Sequence, residues 1–133
     1  MKYIKFLIIS ILSMIILIGC SKGESHFDEE KAKEIAEKAV IYHIENNYDD
    51  FRDLCSEELK EVLSDDALKD LDEKIMDKVG DFEEIKEVKF TEKVDKKHGP
   101  LARVFVNAKF SESKLIYTVV LDEDYIISGF FVK

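Results

Sequence analysis

Apolar residues along this chain keep two different rhythms, and the change falls at Gly80. Between Asp28 and Gly80 they recur every three to four residues, the spacing of one helix face. Asp28 is an N-cap, and acids follow it in the first turn. Ala32, Ile35, Ala36, Ala39, Val40 and His43 then form the stripe of a helix of about 19 residues, which Asn46-Asn47 stops. A second helical stretch begins near Tyr48 or Asp49 and carries Phe51, Leu54 and Cys55. Ser56 opens a short helix with Leu59, Val62 and Leu63 inward. Ser64 caps a further helix striped by Leu68, Leu71, Ile75 and Val79, and Gly80 ends it as a C′ residue.

Beyond Gly80 the period falls to two, the signature of strands. Phe82–Val94 holds Val88, Phe90 and Val94 on one side, and Lys96–Pro100 is a turn. Leu101–Phe110 puts Val104, Val106, Ala108 and Phe110 on one face. Ser111-Glu112-Ser113 turns the chain again. Lys114–Leu121 and Tyr125–Val132 make a hairpin around Asp122-Glu123-Asp124. These last two strands are apolar on both faces, which predicts at least partial cover on both. Helices followed by an antiparallel meander make an α+β domain. There are no internal repeats and no second domain.

The segment before the domain has its own pattern. Lys2 and Lys5 lead, and Phe6–Ile18 follows without a charge. That is the layout of a signal peptide, and the run is shorter than the roughly 20 residues of a membrane span. Leu17-Ile18-Gly19-Cys20 resembles the lipobox of bacterial lipoproteins. The resemblance implies a diacylglyceryl group on the Cys20 sulfur and cleavage between Gly19 and Cys20. The plainer alternative is an uncleaved anchor helix that happens to end in a cysteine. The expected organisation is a signal peptide over 1–19, a tether over 20–27 (Ser21–Phe27 is polar with one glycine) and a single domain over 28–133. Two acyl chains would anchor the protein stably at the extracytoplasmic face of the cell membrane.

Charge narrows the partners. The 133 residues carry a formal charge of −9, and loss of Lys2 and Lys5 on cleavage would leave 114 residues at −11. Such a surface repels nucleic acid and anionic lipid. With Cys20 lipidated, Cys55 would have no intrachain partner, and beside Phe51 and Leu54 it reads as a buried, inert thiol. His26 in the tether and His98 in the Lys-Lys-His-Gly-Pro turn read as solvated. The three histidines have no metal-ligand spacing. No phosphate-binding glycine loop, nucleophile elbow or other cofactor motif is present.

Three stretches carry a family resemblance. AEKAVIYHIENNYDDFRDLCSEELK reads as helix, turn, helix and Ser-capped continuation. VGDFEEIKEV is an entry to a sheet, and LIYTVVLDEDYIISGFFV is a closing hairpin. Their order and spacing, from about Ala32 to Val132, resemble the family called domain of unknown function 3887, within the nuclear transport factor 2-like (cystatin-like) superfamily. The resemblance implies N-terminal helices packed on a curved four-stranded antiparallel sheet, a cystatin-like cone with a pocket between the first helix and the sheet. Asn46-Asn47 stands where the family tends to have Gly-Asp, and asparagine tolerates the left-handed turn. Tyr125 stands where the hairpin usually has glycine. A tyrosine at positive φ is strained, so the expectation is that Asp124 takes the unusual angle or that the turn changes type.

The superfamily includes enzymes and many members without catalysis, so fold does not give function. His43 falls near the centre of the apolar stripe, where the resembling family tends to have an aliphatic residue. It reads as a core histidine bonded to a carbonyl or to a hydroxyl such as that of Tyr117, or as a base in a pocket. His43, Phe110, Tyr117 and Phe131 are the candidate pocket residues; Phe105 and Phe130 are further aromatics that could line it, although such residues are more often simply core. The expected function is a non-catalytic module that binds a small apolar ligand or an envelope protein. The alternatives are a small enzyme acting on a hydrophobic substrate with His43 as base, and a structural component of an envelope complex.

Overall fold

The computed structural model of the chain describes residues 26–133, so the lipobox-like stretch and Cys20 lie outside the described residues. Four helices come first: α1 (Glu29–Ile44), α2 (Tyr48–Asp53), α3 (Glu57–Val62) and α4 (Asp65–Val79). Four strands follow: β1 (Phe82–Asp95), β2 (Gly99–Phe110), β3 (Lys114–Leu121) and β4 (Ile127–Val132). They form one antiparallel sheet in the order β1-β2-β3-β4. This is the expected α+β architecture.

Local chemistry sets the helix boundaries. The Asp28 carboxylate accepts the backbone N–H groups of Glu30 and Lys31, Ser56 Oγ accepts that of Leu59, and Ser64 Oγ accepts that of Ala67. Each satisfies donors that a helix N-terminus leaves without partners. Asn46 takes φ 62° and breaks the chain between α1 and α2. Gly80, at φ 81°, ends α4.

The helices cover one face of the sheet. α1 brings Ala32, Ala36, Ala39 and Val40 down on it, and these small side chains allow a close approach. The sheet answers with Ala102, Val104, Val106 and Ala108 of β2, and with Tyr117, Val119 and Leu121 of β3. Phe27 was expected in the tether, but it is 6% exposed and packs edge-on against Phe90 and Tyr125. Burying its ring against these neighbours is favourable by roughly 1.5–3 kcal/mol. Two outward corrections balance it: Val62, expected inward, is 70% exposed, and Val94 is 67% exposed.

Bulges alter the strand rhythm. In β1, Glu83 and Lys86 are extra residues relative to β2, so Phe82, Ile85 and Val88 face inward at intervals of three before the period returns to two. In β4, Ser128 is the extra residue, since Leu121 pairs with Ile127 while Val120 pairs with Gly129. One inserted residue exchanges the two faces of everything after it. Plain alternation from Ile127 would turn Phe131 inward, whereas the bulge turns Phe130 inward and leaves Phe131 61% exposed. The outer face of the last two strands is therefore open, with Ile116 45% exposed, and not covered as the apolar pattern suggests.

The β3–β4 turn departs in another way. Tyr125 itself takes φ 62°. Tertiary contacts hold it there. Its hydroxyl accepts the Asp28 N–H at 2.7 Å, its ring meets that of Phe27, and Lys31 Nζ sits 4.3 Å from the ring centre.

Candidate functional site

The structure offers two places where polar chemistry and concave surface meet. One lies inside, where α1, α2 and α4 converge on the sheet. His43 stands in the last turn of α1 and is 1% exposed. The rings of Tyr48, Phe51, Tyr117 and Phe130 surround it at centroid distances of 5.3 to 6.5 Å. Asp72 of α4 is also buried, and its Oδ1 lies 3.2 Å from His43 Nε2. The ring N–H does not point at that oxygen, so neither atom completes a hydrogen bond. His43 Nδ1 and the Tyr117 hydroxyl are likewise buried without a partner. Tyr48 donates its hydroxyl to the other Asp72 oxygen and lies 3.1 Å from Asn46 Oδ1.

Burial decides the protonation of this cluster. It lowers the pKa of His43, and the Asp72 charge only partly opposes that shift. A neutral imidazole results. Burial also raises Tyr117 above the usual tyrosine range, with Asp72 adding to the effect, so its hydroxyl stays protonated. Tyr48 is pushed up by burial and by its hydrogen bond to Asp72. A cleft of about 350 Å³, lined by Asn46, Tyr48, Lys69, Asp72 and Glu73, reaches the edge of this cluster. His43 does not line it.

The second place is on the opposite side of the sheet. A groove of about 610 Å³ runs across its outer face, lined by Leu101, Val120, Gly129 and Phe131 on the floor. Ser56, Glu57 and Glu58 wall one side, and His98, Asp122 and Ser128 complete the lining. The wall stands where it does because residues 54–56 run beside the edge of β4: Ser56 N–H donates to the Ile127 carbonyl and Ile127 N–H to that of Leu54, each at 2.8 Å. Serines, a histidine and an aspartate share this groove. However, Ser56 Oγ caps α3, and the Asp122 carboxylate accepts the N–H groups of Asp124 and Ile126. No activated nucleophile emerges from those bonds.

The four candidate residues therefore separate. His43 and Tyr117 meet, with rings 6.0 Å apart. Phe110 is on the same face of the sheet, but its ring packs on Phe82. Phe131 is on the other face. Asp72, Tyr48, Phe51 and Phe130 belong to the inner cluster, and of these Asp72 and Tyr48 were missed. The one sequence signal for Asp72 is its spacing, four residues after Leu68 on the inward stripe. Cys55 is buried, its Sγ lies 3.3 Å from the Phe51 carbonyl, and burial pushes the thiol up to about 11. Among the described residues no group of three or more His, Cys, Asp or Glu side chains is placed to hold a metal ion. Nor is any described helix long and apolar enough to cross a membrane.

A solution structure of a protein from Ruminococcus gnavus ATCC 29149 superposes with a TM-score of 0.69, covering 80% of this chain and 92% of that one at 20% identity. A likeness at that identity speaks for the fold alone. No curated protein matches the sequence. The family model described as protein of unknown function (DUF3887) matches residues 36–130, from the middle of α1 into β4, and the chain belongs to that family.

Proposed function

We propose that this protein is a lipid-anchored, extracytoplasmic binding module without catalytic activity, and that the groove on the outer face of its sheet is the recognition site. The observation behind this reading is Phe131. A large apolar ring stands 61% exposed at the floor of a concave surface. Its neighbours across the outer face, Val120 and Leu101, are only half-buried. Apolar surface left open in a concavity marks a binding site more often than chance exposure does. The Cys20 anchor would hold the domain at the membrane, and the acidic charge would keep it off the lipid.

Two measurements test the reading. Intact mass spectrometry of protein from the native membrane fraction should show a chain beginning at Cys20 with a diacylglyceryl adduct; a chain retaining Met1 would overturn the anchor. A benzophenone crosslinker placed at position 131 should trap a defined adduct in cells that the same group at position 62 does not. Val62 is at least as exposed, but it is on α3 and outside the groove. Equal labelling from both positions would remove the groove from the proposal.

One observation favours an enzyme instead, namely a carboxylate at ion-pair distance from His43. Access argues against it: the nearby cleft stops at Tyr48 and Asp72. A base must come within hydrogen-bond reach of the proton it removes. Here His43 acts on its neighbours and not on a ligand.

A further inference from the structure

The groove has a charge pattern as well as an apolar floor, and the pattern identifies what fits it. Glu57, Glu58 and Asp122 line it, against His98 alone on the basic side. Lys60 pairs with Glu57 at 3.2 Å. Among the described residues Glu58 has no ion pair, and it is exposed at the wall. Asp122 is half-buried, and the bonds it accepts from Asp124 and Ile126 both fall on Oδ1. Two carboxylates that line the groove thus keep free acceptor capacity beside its apolar floor.

The apolar surface also continues past the groove. Phe131 pairs with Thr118, which pairs with Phe105 of β2, and Ile116 lies two residues along β3 on the same face. Ile116 is 45% exposed. A ligand confined to the groove would leave this extension uncovered, whereas a polypeptide lying across β3 and β4 would cover it. A second copy of this chain is the weaker occupant, because a formal charge of −9 on each copy opposes self-association.

Building on the groove reading above, we infer that the outer face of β3 and β4 docks a basic polypeptide segment, one that sets an aliphatic or aromatic side chain on Phe131 and Val120 and a lysine or arginine between Glu58 and Asp122. Apolar contact supplies the anchor, while the acidic rim selects the partner and speeds encounter. Arg103 is exposed on the outer face of β2 beside Val120, and it turns away segments whose basic residue lies on that side.

The test uses the full chain in a nonionic detergent and three labelled hexapeptides. The first is acetyl-Lys-Leu-Lys-Phe-Lys-Leu-amide. The other two have glutamine or glutamate in place of every lysine. Fluorescence anisotropy should show saturable binding of the lysine peptide only, weakened roughly tenfold by Glu58→Lys with Asp122→Asn and lost with Phe131→Ser. All three side chains reach the surface, so circular dichroism should show folded variants. Equal binding of the lysine and glutamine peptides, lost with Phe131→Ser, would keep the groove and overturn the basic partner. Binding of the lysine peptide that Phe131→Ser leaves unchanged would overturn the inference and the groove together. No binding, with a dimer in sedimentation equilibrium that Phe131→Ser dissolves, would assign the face to a second copy and overturn the inference.

Discussion

His43 Nε2 and Asp72 Oδ1 approach to 3.2 Å inside the domain without forming a hydrogen bond. The contact brings the last turn of α1 against the middle of α4, so the two helices share one polar seam. Tyr48 completes it from α2 by donating to the far oxygen of Asp72. A buried carboxylate with one satisfied and one orphaned oxygen is a source of specificity and also a liability, because unpaired buried polar atoms cost about 1–3 kcal/mol each. The cluster makes the stability of this domain sensitive to pH and to single substitutions.

Acid should destabilise the fold through His43. In the unfolded chain this histidine takes up a proton near 6.5; in the folded chain burial moves that event to lower pH. Between the two values the unfolded state binds more protons, so stability falls as pH falls. The groups facing His43 are Asp72 from α4, Tyr48 and Phe51 from α2, Tyr117 from β3 and Phe130 from β4. Only Asp72 opposes the shift. Urea unfolding between pH 7 and 5 should lose up to about 1.4 kcal/mol per pH unit from this residue. His43→Gln should flatten that slope. An unchanged slope would mean that His43 titrates at its ordinary value.

Removing the Tyr48 hydroxyl should leave Asp72 without its one good donor. Tyr48→Phe is expected to destabilise by about 1–3 kcal/mol at pH 7. In an Asp72→Asn background the same change should be smaller, giving a coupling of at least about 0.5 kcal/mol in a double-mutant cycle. Additive effects would show that the bond carries no energy of its own.

Much of the fold is legible in the sequence because its signals are local. Asp28, Ser56, Ser64 and Gly80 mark helix ends with chemistry that acts within four residues, and the structure places each at such an end. Asp72 is illegible for the opposite reason. A carboxylate on a helix ordinarily faces water, and its partner His43 lies 29 positions earlier in the chain. Ser128 is illegible too, since nothing in a run such as IISGFFV announces which residue is the bulge. That one insertion decides whether Phe130 or Phe131 enters the core. The open outer face follows from it, because strands apolar on both sides look alike whether the second side meets a helix, a partner or water.

The two adjacent phenylalanines provide a direct check of that register. Phe130 is 9% exposed and stacks edge-on against Phe51 at 4.8 Å. Phe130→Ala should lower stability by about 3–5 kcal/mol. Phe131→Ala should change it by no more than about 0.5 kcal/mol. The reverse order would place the bulge elsewhere and close the outer groove.

Tyr125 tests how strain is held at the last hairpin. Tyr125→Phe loses only the bond from the Asp28 N–H, at an expected cost of about 1 kcal/mol. Tyr125→Gly relieves about 1–2 kcal/mol of positive-φ strain. It also loses that bond, the Phe27 ring contact and the Lys31 cation, so the net change should be destabilising and larger than for Tyr125→Phe. A glycine variant more stable than wild type, in thermal unfolding, would show that strain outweighs the contacts that hold the start of α1 to the sheet.

Among the described residues Gly80 makes the sharpest backbone demand. Its φ of 81° and ψ of −154° fall in a region that only glycine occupies readily. A Cβ there would lie 2.0 Å from Ser111 Oγ and 3.3 Å from the Glu112 backbone nitrogen. The crowding follows from how the β2–β3 turn is fastened to this corner: Glu112 N–H donates to the Val79 carbonyl, Ser111 N–H to that of Asp81, and Asp81 N–H to Ser111 Oγ. The end of the helical layer and the far turn of the sheet are thus one hydrogen-bonded knot. Gly80→Ala should cost about 2–3 kcal/mol, combining backbone strain with the clash. Adding Ser111→Ala should recover only part of it, because the dihedral penalty remains and the Asp81 amide loses its acceptor. Full recovery in the double variant, measured by urea unfolding, would show that the clash alone requires glycine and that the backbone angle costs nothing.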